Sequence, residues 1–184
     1  MKPVTSDPKL MVPRIVAIVG KSNSGKTTLL ERLVACLTRK GYRIGTVKHT
    51  HCGFDMDRKG KDSWRHRQAG ASATLAVTDD QVVVFKDDTR SPVQKIQDYL
   101  LDMDLVLAEG FKTQNFAKIE IFRKDSSHAM PLFMDTSMNV LQNLVAFVTD
   151  SEYRPDVPVY GLDDIEAIAD FIETRVLNKV DEFE

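Results

Sequence analysis

Apolar positions along the chain switch repeatedly between two spacings. Residues 14–19 (RIVAIV) form a short β-branched run without polar alternation, the pattern of a strand covered on both faces. From Lys26 to about Lys40 the spacing becomes helical: Leu29, Leu33 and Leu37 fall at i, i+4 and i+8, and Leu30 and Val34 widen the stripe. Gly41 suits the end of that helix. Residues 43–48, 104–108 (DLVLA), 118–122 and Leu144–Thr149 read as further strands, with a short one at 157–160. Ala73–Val77 and 81–85 read as two strands joined by a tight turn at Thr78, Asp79 and Asp80. Asp62 is an expected N-cap for a short helix to Ala69. Ser91 and Pro92 open another helix, to about Leu101. Asp163 is expected to cap a last helix with Ile165, Ile168, Ala169, Ile172 and Val176 on one face. Residues 124–143 carry no clear period.

Strands alternating with helices imply an α/β fold: a P-loop NTPase-like, mostly parallel β-sheet flanked by helices on both faces. Ligands of such sheets gather at the carboxyl ends of the strands. One domain is expected over residues 14–184, after a loose leader at 1–13 that holds Pro3, Pro8 and Pro13.

Composition narrows the classes. The 184 residues are 42% hydrophobic and 28% charged, with a net charge of −2, which disfavours a general nucleic-acid binder. No apolar run nears the ~20 residues of a membrane span, so no membrane association is expected. Two cysteines, Cys36 and Cys52, with no signal-like start point to a reducing, cytoplasmic setting.

The chemistry concentrates at strand ends. Residues 20–27 (GKSNSGKT) satisfy G-x-x-x-x-G-K-[ST] between a buried strand and an amphipathic helix, the context that pattern needs. Gly20 and Gly25 let the backbone curl so that N–H groups of Lys21, Ser22, Asn23 and Ser24 can face phosphate oxygens, with the helix N-terminus behind them at Thr28. Lys26 is the expected β/γ-phosphate cation, and the Thr27 hydroxyl the expected Mg²⁺ ligand. The bland alternative is an ordinary strand-to-helix turn.

Asp104 and Glu109 bracket one strand and lie ~16 Å apart. Only Glu109 closes it on the phosphate side, so Glu109 is the candidate for the Mg²⁺ or water shell. Gly110 after it could offer its N–H to a γ-phosphate. A surface pairing of Glu109 with Lys112 is the structural alternative. The loop after residue 48 adds Asp55 as a further Mg²⁺ candidate and Asp57 as a candidate to orient water; either could equally line a solvated turn. His49, His51 and Cys52 match no closed zinc set. Residues 58–67 hold five Lys or Arg against one acid, a possible clamp for a second phosphorylated ligand or simply a solvated helix face. Asn178-Lys179-Val180-Asp181 has the letters of a guanine-reading motif but sits in a helix tail, and is taken as chance. Asp150, closing the Leu144–Thr149 strand, is the base-reading candidate.

Together, residues 20–28, Lys48-His49-Thr50-His51, Phe54-Asp55-Met56-Asp57, Gly60-Lys61-Asp62-Ser63, Ala69-Gly70-Ala71 and Glu109-Gly110-Phe111-Lys112 resemble the molybdopterin-guanine dinucleotide biosynthesis adapter protein B family (MobB), from about Arg14 to Ile172. The resemblance implies GTP binding with slow hydrolysis and a homodimer. It also implies assistance to the molybdenum cofactor guanylyltransferase that joins GMP to molybdopterin. Two other readings stay open: a small-molecule kinase, whose lid would have to come from residues 124–143, and a scaffold that binds nucleotide without hydrolysing it.

Overall fold

A computed structural model describes residues 13–50, 57–128, 130–135 and 142–177. They fold as two compact units, one from the described residues of 1–49 and 96–184, the other from those of 50–95.

The larger unit is a six-stranded sheet of β1 (Arg14–Val19), β2 (Ile44–Lys48), β5 (Leu105–Glu109), β6 (Ala117–Phe122), β7 (Leu144–Thr149) and β8 (Val159–Tyr160). The spatial order is β2-β5-β1-β6-β7-β8, and every pairing is parallel. That order puts β1 between β5 and β6, which explains its unbroken apolar run: Val16 to Val19 are fully buried. Alternate residues face opposite layers. Val16, Ile18, Leu105, Leu107, Ile119 and Ile121 pack with Leu29, Leu33 and Leu37 of α1 (Lys26–Arg39) and Ile168 and Ile172 of α4 (Ile165–Ile172). The opposite face over β6 and β7 is covered by a turn of 3-10 helix, Leu132–Met134, rather than by an α-helix. Phe133 there meets Phe147 edge-on at 5.2 Å.

The helix ends follow local chemistry. Gly41 has φ 94°, its N–H reaches the Thr38 carbonyl, and the Tyr42 N–H reaches Leu37, which closes α1 in a Schellman motif. The expected caps of two helices shift by one residue. α2 (Asp62–Gln68) starts after Lys61, and Asp62 lies inside the first turn, where its carboxylate is 3.9 Å from Arg65. α4 starts after Asp164, whose carboxylate accepts the Gly161 N–H at 2.7 Å. Beyond Ile172 the chain widens into a π-turn at Glu173–Leu177.

Two ionisable residues of β6 are buried on one face. Lys118 is 1% exposed and donates to the carbonyls of Gln114 (2.6 Å), Gln142 (2.8 Å) and Phe116 (3.4 Å), with burial lowering its pKa. Glu120, also 1% exposed, accepts the N–H groups of Leu132 and Phe133.

The smaller unit holds α2 and an antiparallel hairpin of β3 (Ala73–Val77) and β4 (Val82–Lys86). As the turn residues predict, the Thr78 N–H meets the Gln81 carbonyl, and the Thr78 hydroxyl meets Asp80. The Arg67 guanidinium lies 4.7 Å over the Phe85 ring. α3 (Pro92–Tyr99) follows, with Ile96 buried. Among the described residues no helix is long and apolar enough to cross a membrane.

Candidate functional site

The loop between β1 and α1 is sterically determined at Gly20. A Cβ there would stand 2.5 Å from both the Ile121 carbonyl oxygen and the Ser24 hydroxyl, so only glycine fits. Asn23 and Gly25 take positive φ, 58° and 93°, and bend the chain back toward the helix. The Leu29 N–H bonds the Gly25 carbonyl. Helix geometry then leaves the N–H groups of Lys26, Thr27 and Thr28 without intrahelical acceptors. The first turn of α1 contains no acidic residue of its own. The Ser24 hydroxyl is buried with no hydrogen-bond partner among the described residues.

The charged groups converge from neighbouring strand ends. Lys48↔Glu109 is the last pair of the β2–β5 ladder, and Ile18↔Glu109 the last of β1–β5, which brings Glu109 beside the loop. The Thr27 hydroxyl donates to Glu109 Oε2 at 3.0 Å, and Lys48 Nζ lies 3.3 Å from Oε1. Glu109 therefore pairs with Lys48 in place of the surface Lys112 alternative. Lys26 Nζ donates to the Lys21 carbonyl at 2.6 Å. Its pKa is lowered by partial burial first and then by repulsion from Lys112; Glu109 pulls it the other way and Lys48 adds to the lowering. Lys21 Nζ lies 3.6 Å from Asp135 Oδ2. The Asp135 turn is itself held by Glu120, whose carboxyl is pushed up to about 7 by burial, against the pull of the Leu132 and Phe133 N–H groups and of Lys21 and Lys112.

The other candidates fall as follows. Ser22 and Asn23 are exposed on the loop. The Gly110 N–H donates to the Ile18 carbonyl at 3.0 Å, and Gly110 and Phe111 have φ of 94° and 56°. Phe111 stacks near His49 at 5.1 Å. Asp150 Oδ1 accepts the Lys124 N–H at 2.8 Å. Asp57 belongs to the smaller unit; it is 5% exposed, and its carboxylate is held by Ser63 Oγ (2.7 Å) and Arg67 Nε (3.1 Å). Asp55, His51, Cys52 and Asn178 to Asp181 lie outside the described residues. Asp104 serves the other end of the sheet, where it accepts the Arg43 N–H at 2.6 Å. No cluster of three His, Cys, Asp or Glu side chains suited to a metal occurs among the described residues.

Sequence reasoning missed Arg123, Asp135 and Glu120. All three come from β6 or the segment that follows it. Only the β1–β6 pairing, with Val19↔Glu120 as its last register pair, brings them to the loop.

Fold and site together define a parallel α/β protein with a glycine-rich, lysine-bearing loop at the carboxyl end of its central strand. Residues 15–150 match the model of the family described as molybdopterin guanine dinucleotide synthesis protein B, and the chain belongs to that MobB family. It is similar to the molybdopterin-guanine dinucleotide biosynthesis adapter protein of Escherichia coli K12, with 33% identity over 89% of this chain and 93% of that one. The Haemophilus influenzae adapter protein is also 33% identical, over 86% of this chain and 87% of its own. The crystal structure of Bacillus subtilis MobB superposes with a TM-score of 0.71 at 25% identity, covering 89% of this chain and 98% of that one.

Proposed function

We propose that this adapter-family chain binds GTP with Mg²⁺ on the 20–28 loop, hydrolyses it slowly, and assists the guanylyltransferase that joins GMP to molybdopterin. The observation that carries the nucleotide reading is the convergence of Lys26, Thr27 and Glu109 on a glycine-bent loop at the start of α1, whose first-turn N–H groups have no helical acceptors. A triphosphate suits that charge: the N–H groups of Lys26, Thr27 and Thr28 are donors without helical acceptors, and Lys21, Lys26, Lys48 and Lys112 supply cations around them.

The Thr27 hydroxyl and Glu109 carboxylate are hard oxygen donors 3.0 Å apart, a set that fits Mg²⁺ and would hold it. Mg²⁺ bound there would neutralise phosphate charge. The rest of the mechanism belongs to the side chains. Lys26 leaves the Lys21 carbonyl for phosphate oxygens, and Glu109 orients water. Both Glu109 oxygens already have partners, which supports a slow reaction. Asp150 is the proposed guanine reader: Lys124 fixes one oxygen and leaves the other for base N–H groups.

A homodimer is part of the same proposal, formed through the β3–β4 hairpin. Leu75, Val77, Val82, Val83 and Val84 are 45–65% exposed there, and among the described residues neither strand pairs with a third. A two-stranded ribbon is marginal by itself, and a second copy of the same edge is self-complementary under a two-fold axis.

Calorimetric titration with GTP and ATP in Mg²⁺ tests the nucleotide reading, with Lys26→Ala as control. GTP is expected to bind more tightly than ATP, and the variant to lose binding at least tenfold. Equal binding, or a preference for ATP, would favour a small-molecule kinase.

A further inference from the structure

The geometry points to Arg123 as the side chain that holds the α-phosphate and nucleoside end of the nucleotide, an assignment that rests on the nucleotide reading above. The sheet order supplies the direction. Thr27 and Glu109, the metal and γ-phosphate end, lie on the β5 side of β1. β6 and β7 lie on the other side, so a nucleotide whose phosphates cross the start of α1 extends its nucleoside toward them.

Arg123 directly follows β6 on that side. Ile119 and Ile121 face α1, and Arg123 continues the same alternation one step beyond them. Its Cδ is 3.8 Å, and Ile121 Cδ1 3.5 Å, from the point a Cβ on Gly25 would occupy. The stem therefore lies against the last glycine of the loop. The residue is exposed, and among the described residues its guanidinium makes no hydrogen bond or ion pair. The β6–β7 ladder ends at Phe122↔Thr149, which sets Arg123 opposite Asp150. The backbone of Lys124, next in the chain, holds the Asp150 carboxylate. Arg123 thus stands between the phosphate loop and the base-reading aspartate. The cations already placed at the loop, Lys21, Lys26, Lys48 and Lys112, are ammonium groups. A planar guanidinium can bind an α-phosphate oxygen and lie along a purine face at once.

The test separates the two ends of the ligand. Wild type, Arg123→Ala and Arg123→Lys are titrated with GTP and with inorganic tripolyphosphate, each with Mg²⁺. Arg123→Ala is expected to weaken GTP about tenfold and tripolyphosphate, which keeps the α-position phosphate but has no purine, only about threefold, with Arg123→Lys recovering the phosphate part of the loss. An equal fall for both ligands overturns the nucleoside-end assignment, as does unchanged GTP affinity. Wild-type protein that binds neither ligand overturns the nucleotide reading and this assignment with it. Thermal unfolding of the exposed-site variants is expected to match wild type, so a loss of affinity is not a loss of fold.

Discussion

The two β structures of this chain are built from similar side chains and end in opposite environments. β1 (RIVAIV) has four consecutive residues fully buried between two layers. β3 (ATLAV) and β4 (VVVFK) are as apolar, yet Thr74 alone in them is buried, and Leu75, Val77, Val82, Val83 and Val84 are largely exposed. The difference is the number of layers. In the larger unit the inner strands β5, β1, β6 and β7 each lie between two others, and β1 packs under α1, so apolar area is removed from water and stabilises the fold. The hairpin has one neighbour per strand. Its exposed apolar area adds little stability until something covers it, which is the energetic argument for the proposed second copy there.

Substitutions on the two sheets should therefore report different quantities. Leu33→Ala, at a fully buried position of α1, is expected to cost ~2–5 kcal/mol of unfolding free energy. Val83→Ala, 50% exposed, is expected within about 0.5 kcal/mol under dilute conditions where the chain is monomeric. Val83→Asp is expected to shift sedimentation toward the monomer while GTP binding stays. A large stability loss for Val83→Ala at every concentration would mean the hairpin is already covered within its own chain, and the contrast would fail.

A smaller effect separates buried apolar from buried ionisable groups. Glu120 titrates near 4.5 when unfolded and at about 7 in the fold, because burial opposes its charge. A carboxyl with a raised folded pKa favours the native state at low pH. Its contribution is complete below about 4.5 and is lost as pH rises through about 7. The whole span corresponds to ~3 kcal/mol. Denaturant titrations at several pH values are expected to show wild type losing stability relative to Glu120→Gln across that window. Parallel curves for the two proteins would mean the carboxylate is solvated in the native state.

Periodicity made the layer fold legible because burial on two faces leaves an unbroken apolar run, and the glycine that opens the β1–α1 loop was legible because a Cβ at Gly20 would meet Ile121 and Ser24. What covers a strand was not legible: the two segments read as strands joined by a tight turn, and nothing in them told a covered strand from an uncovered one. Nor was strand order, and with it went Arg123, Asp135 and the Lys48–Glu109 pair, whose proximity exists only through the β1–β6 and β2–β5 ladders. Residues 124–143 looked patternless because the described ones among them attach through single contacts rather than through a repeating face. The Glu120 carboxylate takes two turn N–H groups, and Phe133 settles on Phe147. A one-residue periodicity argument has no access to either contact.

The smallest expected effect lies where the phosphate end differs most from the hairpin. The hairpin leaves apolar groups uncovered, whereas the loop's cations rest on acceptors of the chain itself. Asp135 holds Lys21 at 3.6 Å, with the two side chains about a fifth and a quarter exposed. An incoming phosphate competes with that carboxylate for the ammonium. Partly exposed pairs of this kind contribute ~0.2–1 kcal/mol, so Asp135→Asn should raise the affinity for GTP and for inorganic tripolyphosphate by roughly 1.4- to fivefold. In a Lys21→Ala background the same change should do nothing, because the competition has lost its object. The double-mutant cycle reads that coupling directly. Weaker binding in Asp135→Asn would reverse the interpretation: the carboxylate would then be aiming Lys21 at the nucleotide, and the turn held by Glu120 would belong to the binding site rather than compete with it.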